Sequence, residues 1–377
     1  MKISNKKITR FLIAISAIAL FGGCKKFLDR EPLGIAQIDL NVGALEGKTV
    51  GLYGAIRNSA AQPYCGDGFQ GIAYVAMNGF RSDDAEIVSD PGASAWHQTY
   101  DNFQYTKDDW GAGLYWDKHF IFVGLCNDIL DDAAKQNLTD PASVINTAEA
   151  RFFRAYAYFD LVRTYGAVPK IDFKINTPAD GNVAKSDTAA IYALINDDLT
   201  FAEQNLPIVW EAKFAGRANK WAAKALHAKV LLQQRRYAEA LPICKDIINN
   251  GPYQLYTPYW KMFKKEGELC SESIFEIQAA KTAGDGNTYW SRLGQCQGVR
   301  GSGTWDLGWG WNTPTTNLVG TYEAGDVRKD ATILFSNQSD GGTNTGGYGL
   351  TLPNLTNALY WNKKVYNQYS DYLANGL

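Results

Sequence analysis

Histidine is scarce: His97, His119 and His227 are the three in a chain of 377 residues. None lies in a nucleophile, metal or phosphate motif, so imidazole-centred catalysis finds no foothold. Cysteine numbers six. With Cys24 set aside, Cys65, Cys126, Cys244, Cys270 and Cys296 form an odd set without metal-site spacing. No metal or cofactor is expected, and a carboxylate-bound calcium has no loop of EF-hand spacing to hold it. Cys126 and Cys244 fall at helical apolar positions and read as small buried hydrophobes; Cys270 with Cys296 is the one pair worth weighing as a disulfide. An excess of basic residues is also missing, with 37 Lys and Arg against 39 Asp and Glu. Nucleic acid, which calls for a basic face, is not an expected partner. Long apolar runs are absent too: the stretch 11–21 has eleven residues, well short of the ~20 that span a bilayer as a helix.

That short run is nevertheless informative. Lys2, Lys6, Lys7 and Arg10 precede it, and Gly22, Gly23 and Cys24 follow it. A charged start, a short apolar core and small residues are the layout of a secretory signal. Small residues directly before a cysteine resemble a bacterial lipobox, in which the thiol is acylated and Cys24 becomes the first residue of the mature chain. The competing reading is ordinary secretion with Cys24 as a structural thiol. Residues 1–23 are thus expected as a lipoprotein signal peptide, 24–39 as a tether containing Pro32 and Gly34, and 40–377 as the globular part. Removing the signal takes four basic residues and no acidic ones, leaving a formal charge of −6.

The globular part is rich in aromatics, with 11 Trp and 21 Tyr, and its 46% hydrophobic content can bury a substantial core. Apolar spacing predicts helices over 45–56, 115–134, 148–164, 188–205, 218–234 and 237–249. Pro141 and Ser143 act as start signals for the third, and Gly166 and Pro169 stop it. Alanines at 155, 157, 222, 223, 225 and 228 let neighbouring helices approach closely. The pattern is one of helical hairpins packed in series, similar to a tetratricopeptide array. Residues 62–110, full of Gly, Asp and aromatics, read as long surface loops. From 284 onward helical periodicity is lost and short extended segments such as 332–335 appear, so 40–280 is expected as mostly helical scaffold and 281–377 as a loop-rich part.

Five segments carry a family resemblance. CKKFLDREPLG at 24–34 resembles the mature N-terminus of the SusD/RagB-like outer-membrane lipoproteins of Bacteroidetes, and AEARFFRAYAYFDLVRTYGAVP at 148–169 resembles that family's signature helix. GRANKWAAKALHAKVLL, ESIFEIQ and NTPTTNLVGTYEAGDVRKDATI are similar to further family segments, in the expected order. The resemblance implies a mainly α fold with a tetratricopeptide-like scaffold and long loop-rich insertions. Family members usually continue into further helices after a segment like 361–369, so the chain ending at Leu377 is expected to lack the usual C-terminal helices. The implied role is that of a lipid-anchored, cell-surface binding protein of the outer membrane. It captures a nutrient, most often an oligosaccharide and in some members a peptide, for a SusC-like TonB-dependent transporter.

A binding site is expected in the segment 289–312, where Trp290, Arg292, Arg300, Trp305, Asp306, Trp309, Trp311 and Asn312 stand among glycines. Sugar rings present apolar C–H faces that stack on aromatic planes, each contact worth about 1 kcal/mol beyond burial. Sugar hydroxyls need planar partners such as Asn, Asp and Arg. About half of these tryptophans are expected instead to fold under the loop as a satellite core. A second contribution is expected from Arg81, Asp83, Asp84, Trp96 and Asn102, because in the resembling family the corresponding early loop helps to line the glycan site; the competing reading is a solvated acidic loop anchored by Trp96. Asp83, Asp84 and Glu86 are the only carboxylates weighed for glycoside hydrolysis, and adjacent acids on a loop are usually just solvated, so no catalytic residue is expected. Asp160 and Arg163, three apart, are expected to pair on a helix surface for a few tenths of a kcal/mol.

Overall fold

The computed structural model describes residues 44–57, 69, 71–87, 95–279 and 293–370. The signal, the tether with Cys24, Cys65 and the candidate Trp290 lie outside these. The scaffold centres on α5 (Pro141–Tyr165), packed between α4 (Trp110–Lys135) and α6 (Thr188–Asn205), with α7 (Lys220–Gln233) and α8 (Tyr237–Asn250) following in series. α1 (Glu46–Ile56) crosses α4 and α5. Each start has a local cause. The Asp140 carboxylate accepts from Ser143 N at 3.0 Å and Pro141 occupies the first turn, where a missing N–H costs nothing. Asp187 and Asn219 cap α6 and α7 in the same way. α5 stops at Gly166, whose φ of +72° suits glycine.

α5 is buried on nearly every side. Ala148, Ala150, Ala155 and Ala157 have no exposed surface and admit the flanking helices, while Phe152, Phe153, Tyr158 and Leu161 fill the main core. Glu149, Arg154 and Asp160 are buried with it. Arg154 donates two 2.8 Å bonds to Asp198 on α6 and a third to Asn127 on α4. Asp160 is also buried, between Arg163 and His119 Nε2, the latter at 3.4 Å. The expected Asp160–Arg163 pair forms, with its arginine at the surface and its aspartate buried beneath α4. Arg217 ties the array to α1: it grips Glu46 and the fully buried Glu149, which also accepts from Tyr53 OH at 2.5 Å.

Two further expectations are corrected. Cys126 is buried but Cys244 is exposed, since α8 is covered by α7 on one side and only its Ala240 is buried. Cys270 and Cys296 are both free thiols: Cys296 is sealed in a second core, whereas Cys270 sits half-buried beside Ser273. That second core also overturns the reading of 62–110 as surface loops. The segment holds α2 (Ile72–Asn78), β1 (Ala85–Glu86) and α3 (Ala95–Asp101). Val75, Met77, Phe80 and Tyr100 pack there with Ala112 and Tyr115 of α4 and Cys296 of α9 (Leu293–Gln297).

β2 (Val168–Pro169) pairs with β3 (Lys185–Ser186) beside the scaffold. β4 (Thr313–Pro314), α10 (Thr316–Thr321) and α11 (Val327–Thr332) lead into β5 (Ile333–Phe335), the extended segment expected at 332–335. β5 pairs antiparallel with β6 (Tyr360–Asn362), Leu334 opposite Trp361. A third core of Val299, Leu307, Leu334, Leu352 and Trp361 lies beneath this loop-rich part. The buried Asp340 carboxylate organises it, accepting from the backbone N–H groups of Gly342, Tyr348 and Gly349 and from Tyr366 OH. Burial pushes its pKa up, but those backbone donors outweigh it and hold the carboxyl below its usual range.

Candidate functional site

Segments more than two hundred residues apart are clamped by a two-residue ladder. β1 pairs antiparallel with β4, Ala85 opposite Pro314 and Glu86 opposite Thr313. Thr313 Oγ1 donates to Glu86 O at 2.7 Å, and Thr315 N to Asp84 O at 3.1 Å. Just before β4 the chain lies along the end of α9: Trp309 N donates to Gln295 O at 2.8 Å and Trp311 N to Cys296 O at 2.9 Å. This close approach needs glycine. A Cβ on Gly308 would stand 2.4 Å from Gln295 O, and one on Gly298 2.2 Å from Leu307 O.

The clamp brings the early and late candidates together. Trp96 meets Trp311 edge-on at 6.0 Å and Trp110 at 4.8 Å; Trp309 lies 4.8 Å from Trp311, and His97 5.2 Å from Trp311. Trp96, Trp309 and Trp311 rest half-buried on the second core, while Trp110 at the start of α4 is 42% exposed. Arg81 extends beside them, Nη1 donating to Met77 O and the guanidinium lying over Phe103 at 5.6 Å and Tyr105 at 5.4 Å. Trp110, Phe103 and Tyr105 were not expected from sequence. Phe103 owes its 60% exposure to a backbone φ of +54°, which turns the chain out of α3 and leaves no periodic signature.

The remaining candidates divide. Asn312 is half-buried at φ +61°, its Nδ2 donating to Gln297 Oε1 at 2.8 Å and its Oδ1 without a partner among the described residues. Asp83 and Asn102 are exposed. Trp305 belongs elsewhere: it stacks on Tyr366 at 6.0 Å, with 11° between planes, against the third core. Arg300 is half-buried and Asp306 exposed in the same region. Burial raises the pKa of Glu86, and Asp101 adds to the shift; Asp101 is raised likewise, first by burial and then by Asp83. Among the described residues no group of His, Cys, Asp and Glu is arranged to hold a metal ion, and no helix is long and apolar enough to cross a membrane.

The family described as "Starch-binding associating with outer membrane" matches residues 70–232, which span α2 to α7 and the early half of the aromatic cluster. The SusD-like protein P2 of Formosa agariphila is 26% identical over 340 residues, covering 87% of this chain and 64% of the relative. The starch-binding protein SusD of Bacteroides thetaiotaomicron is 28% identical over 204 residues, covering 51% of this chain and 35% of the relative. Against the curated relatives it matches first, the chain spans 52% and 64% of their length. Among solved structures, a laminarin-binding SusD-like protein superposes with a TM-score of 0.71 at 24% identity, covering 86% of this chain and 72% of that one. Surface glycan-binding protein A from Bacteroides thetaiotaomicron, in complex with laminarihexaose, gives 0.67 at 20% identity, covering 89% and 77%. These likenesses establish the fold.

Proposed function

The chain belongs to the SusD/RagB-like family, and from that premise we propose that it is a lipid-anchored, cell-surface glycan-capture protein that passes its ligand to a SusC-like TonB-dependent transporter of the outer membrane. The observation that carries the reading is the convergence of Trp96, Trp110, Trp309 and Trp311 on one patch. Indole faces supply stacking for the C–H faces of sugars, each worth about 1 kcal/mol beyond burial. Arg81, linked to Trp96 through Tyr105 and Tyr100, supplies a planar hydrogen-bonding group. A binding role also suits the absence of catalytic residues in the sequence motifs. Glu86 and Asp101 give hydrolysis its opening, since burial pushes both carboxyls upward, the direction a general acid requires.

One experiment separates the two. Laminarihexaose, maltohexaose and a xylogluco-oligosaccharide, chosen because relatives of this fold bind laminarin, starch or xyloglucan fragments, are incubated with the protein and followed by calorimetry and a reducing-end assay. Binding without new reducing ends is the expected result. New reducing ends that vanish in Glu86→Gln would make it a hydrolase, and silence across these sugars with binding of short peptides would place it among peptide binders.

A further inference from the structure

A concavity lies where the segment after α8 meets the loop-rich part, sharing no residue with the aromatic patch described above. It encloses about 650 Å³ between the segment 255–260, the start of α11 and the loop 344–345, within the range of roughly 300 to 1,000 Å³ typical of small-molecule sites. Its walls are built rather than incidental. Trp260 packs on Gly346, where an added Cβ would stand 3.2 Å from the indole. Tyr259 is fixed edge-on against Phe263 at 5.1 Å. Tyr256 is held at its backbone N–H by Glu272 Oε2 at 2.9 Å and at its hydroxyl by Glu266 O at 3.1 Å. The opposite wall is pinned from inside by the buried Lys363, which donates to Asp330 O at 2.7 Å and Thr345 Oγ1 at 3.0 Å.

What remains uncommitted faces the opening. Asp330 and Asn344 line the cavity, both exposed, and neither side chain makes a hydrogen bond among the described residues, while the Asp330 charge interacts with the buried Lys363. Aromatic walls with a carboxylate and an amide at the rim present the two complements of a sugar: planes for the C–H faces and planar acceptors and donors for the hydroxyls. A purely apolar ligand would leave the rim groups to be desolvated without compensation. Arg328, the cation in the lining, is committed to Asp326, so an anion would meet the Asp330 carboxylate without a free counter-charge.

We propose that this cavity is a second saccharide subsite, taking a short neutral oligosaccharide or one end of a longer glycan. The inference rests on the glycan-capture reading, and it adds a device to it. Two subsites on one rigid chain engage a long polysaccharide at effective concentrations that neither reaches alone.

The test is calorimetry on the full chain with the same three sugars, comparing wild type, Trp311→Ala and the double variant Asp330→Ala/Asn344→Ala. Both rim side chains are exposed and make no hydrogen bond among the described residues, so the double variant should fold, and its melting temperature reads the cost of removing the Asp330 charge near Lys363. The expected result is two binding events per chain with the hexasaccharide that binds. The double variant loses one, weakened at least roughly tenfold, and Trp311→Ala retains it. A single event abolished by Trp311→Ala and untouched by the double variant would overturn the second subsite while leaving glycan capture intact. No binding of any sugar would overturn both. Loss in the double variant alone, with Trp311→Ala binding normally, would keep the subsite and remove the aromatic patch from its assigned role.

Discussion

Trp110 and Trp305 show how differently two tryptophans can be used in one chain. Trp110 is 42% exposed and meets the patch only edge-on through Trp96, so Trp110→Ala should cost little stability, within about 1 kcal/mol. A stacking energy of about 1 kcal/mol predicts roughly fivefold weaker glycan binding by calorimetry. Trp305 lies flat on Tyr366 over the third core. Trp305→Ala should therefore lower the melting temperature, by about 1 to 3 kcal/mol of stability, and leave binding at the patch unchanged; the opposite pattern would exchange their roles. Asp340 makes a pH prediction. Its folded pKa lies below the unfolded value, so its stabilisation is fully present above the ordinary carboxylate range and is lost as pH falls through the lower, folded value. Asp340→Asn should thus destabilise by about 1 to 3 kcal/mol at neutral pH, and denaturant melts of the two proteins should converge in acid. A constant gap from neutral to strongly acidic pH would mean that the shape of the side chain matters and its charge does not.

Elements whose causes are local were legible in the sequence, and those made by distant partners were not. α6 was expected at its observed bounds and α5 within one residue of its observed end, because Asp187 caps one and Gly166 terminates the other within a few residues of chain. α2 and α3 were missed. Each has seven residues, too few for periodicity to register, and each is stabilised by burying Phe80 or Tyr100 against residues of α4 and α9. The site shows the same limit. Both candidate segments could be named from composition, but that Trp309 and Trp311 join Trp96 while Trp305 joins Tyr366 is decided by the β1–β4 ladder and by the lie of the chain along α9. Arg217 sits at the element scale too, since it joins α1 to the array through Glu46 and Glu149. Arg217→Ala leaves Glu149 and Tyr53 facing each other without a cation, and removal of one partner from a buried pair typically costs about 3 to 5 kcal/mol. Arg217→Lys should rescue little of the resulting drop in melting temperature, because a single ammonium cannot span two carboxylates as the guanidinium fork does. Near-complete rescue by lysine would show that charge alone holds α1 in place.

At the scale of the whole molecule the signal-like N-terminus, the acidic mature chain and the aromatic patch make one chain of consequences. Only a cysteine thiol can accept the thioether lipid of a lipobox, so Cys24→Ala should move the protein from the membrane fraction to the soluble one. Acyl chains contribute about 0.8 kcal/mol per buried CH₂, and several chains hold firmly where one is marginal. Persistent membrane association of that variant would require another anchor. Under the proposed function the lipid would confine the protein to the plane in which an outer-membrane barrel lies, and confinement would raise effective concentration enough for a modest intrinsic affinity to keep the two together. A chain of this size can bury an interface beyond the ~1,600 Å² of a standard complex. Mild detergent extraction followed by pull-down should therefore recover a large barrel in near-equal amount, and Trp110→Ala, which weakens only sugar capture, should recover it equally well. If the barrel is lost under several mild detergents while the protein still binds its sugar, capture stands and delivery to a transporter does not.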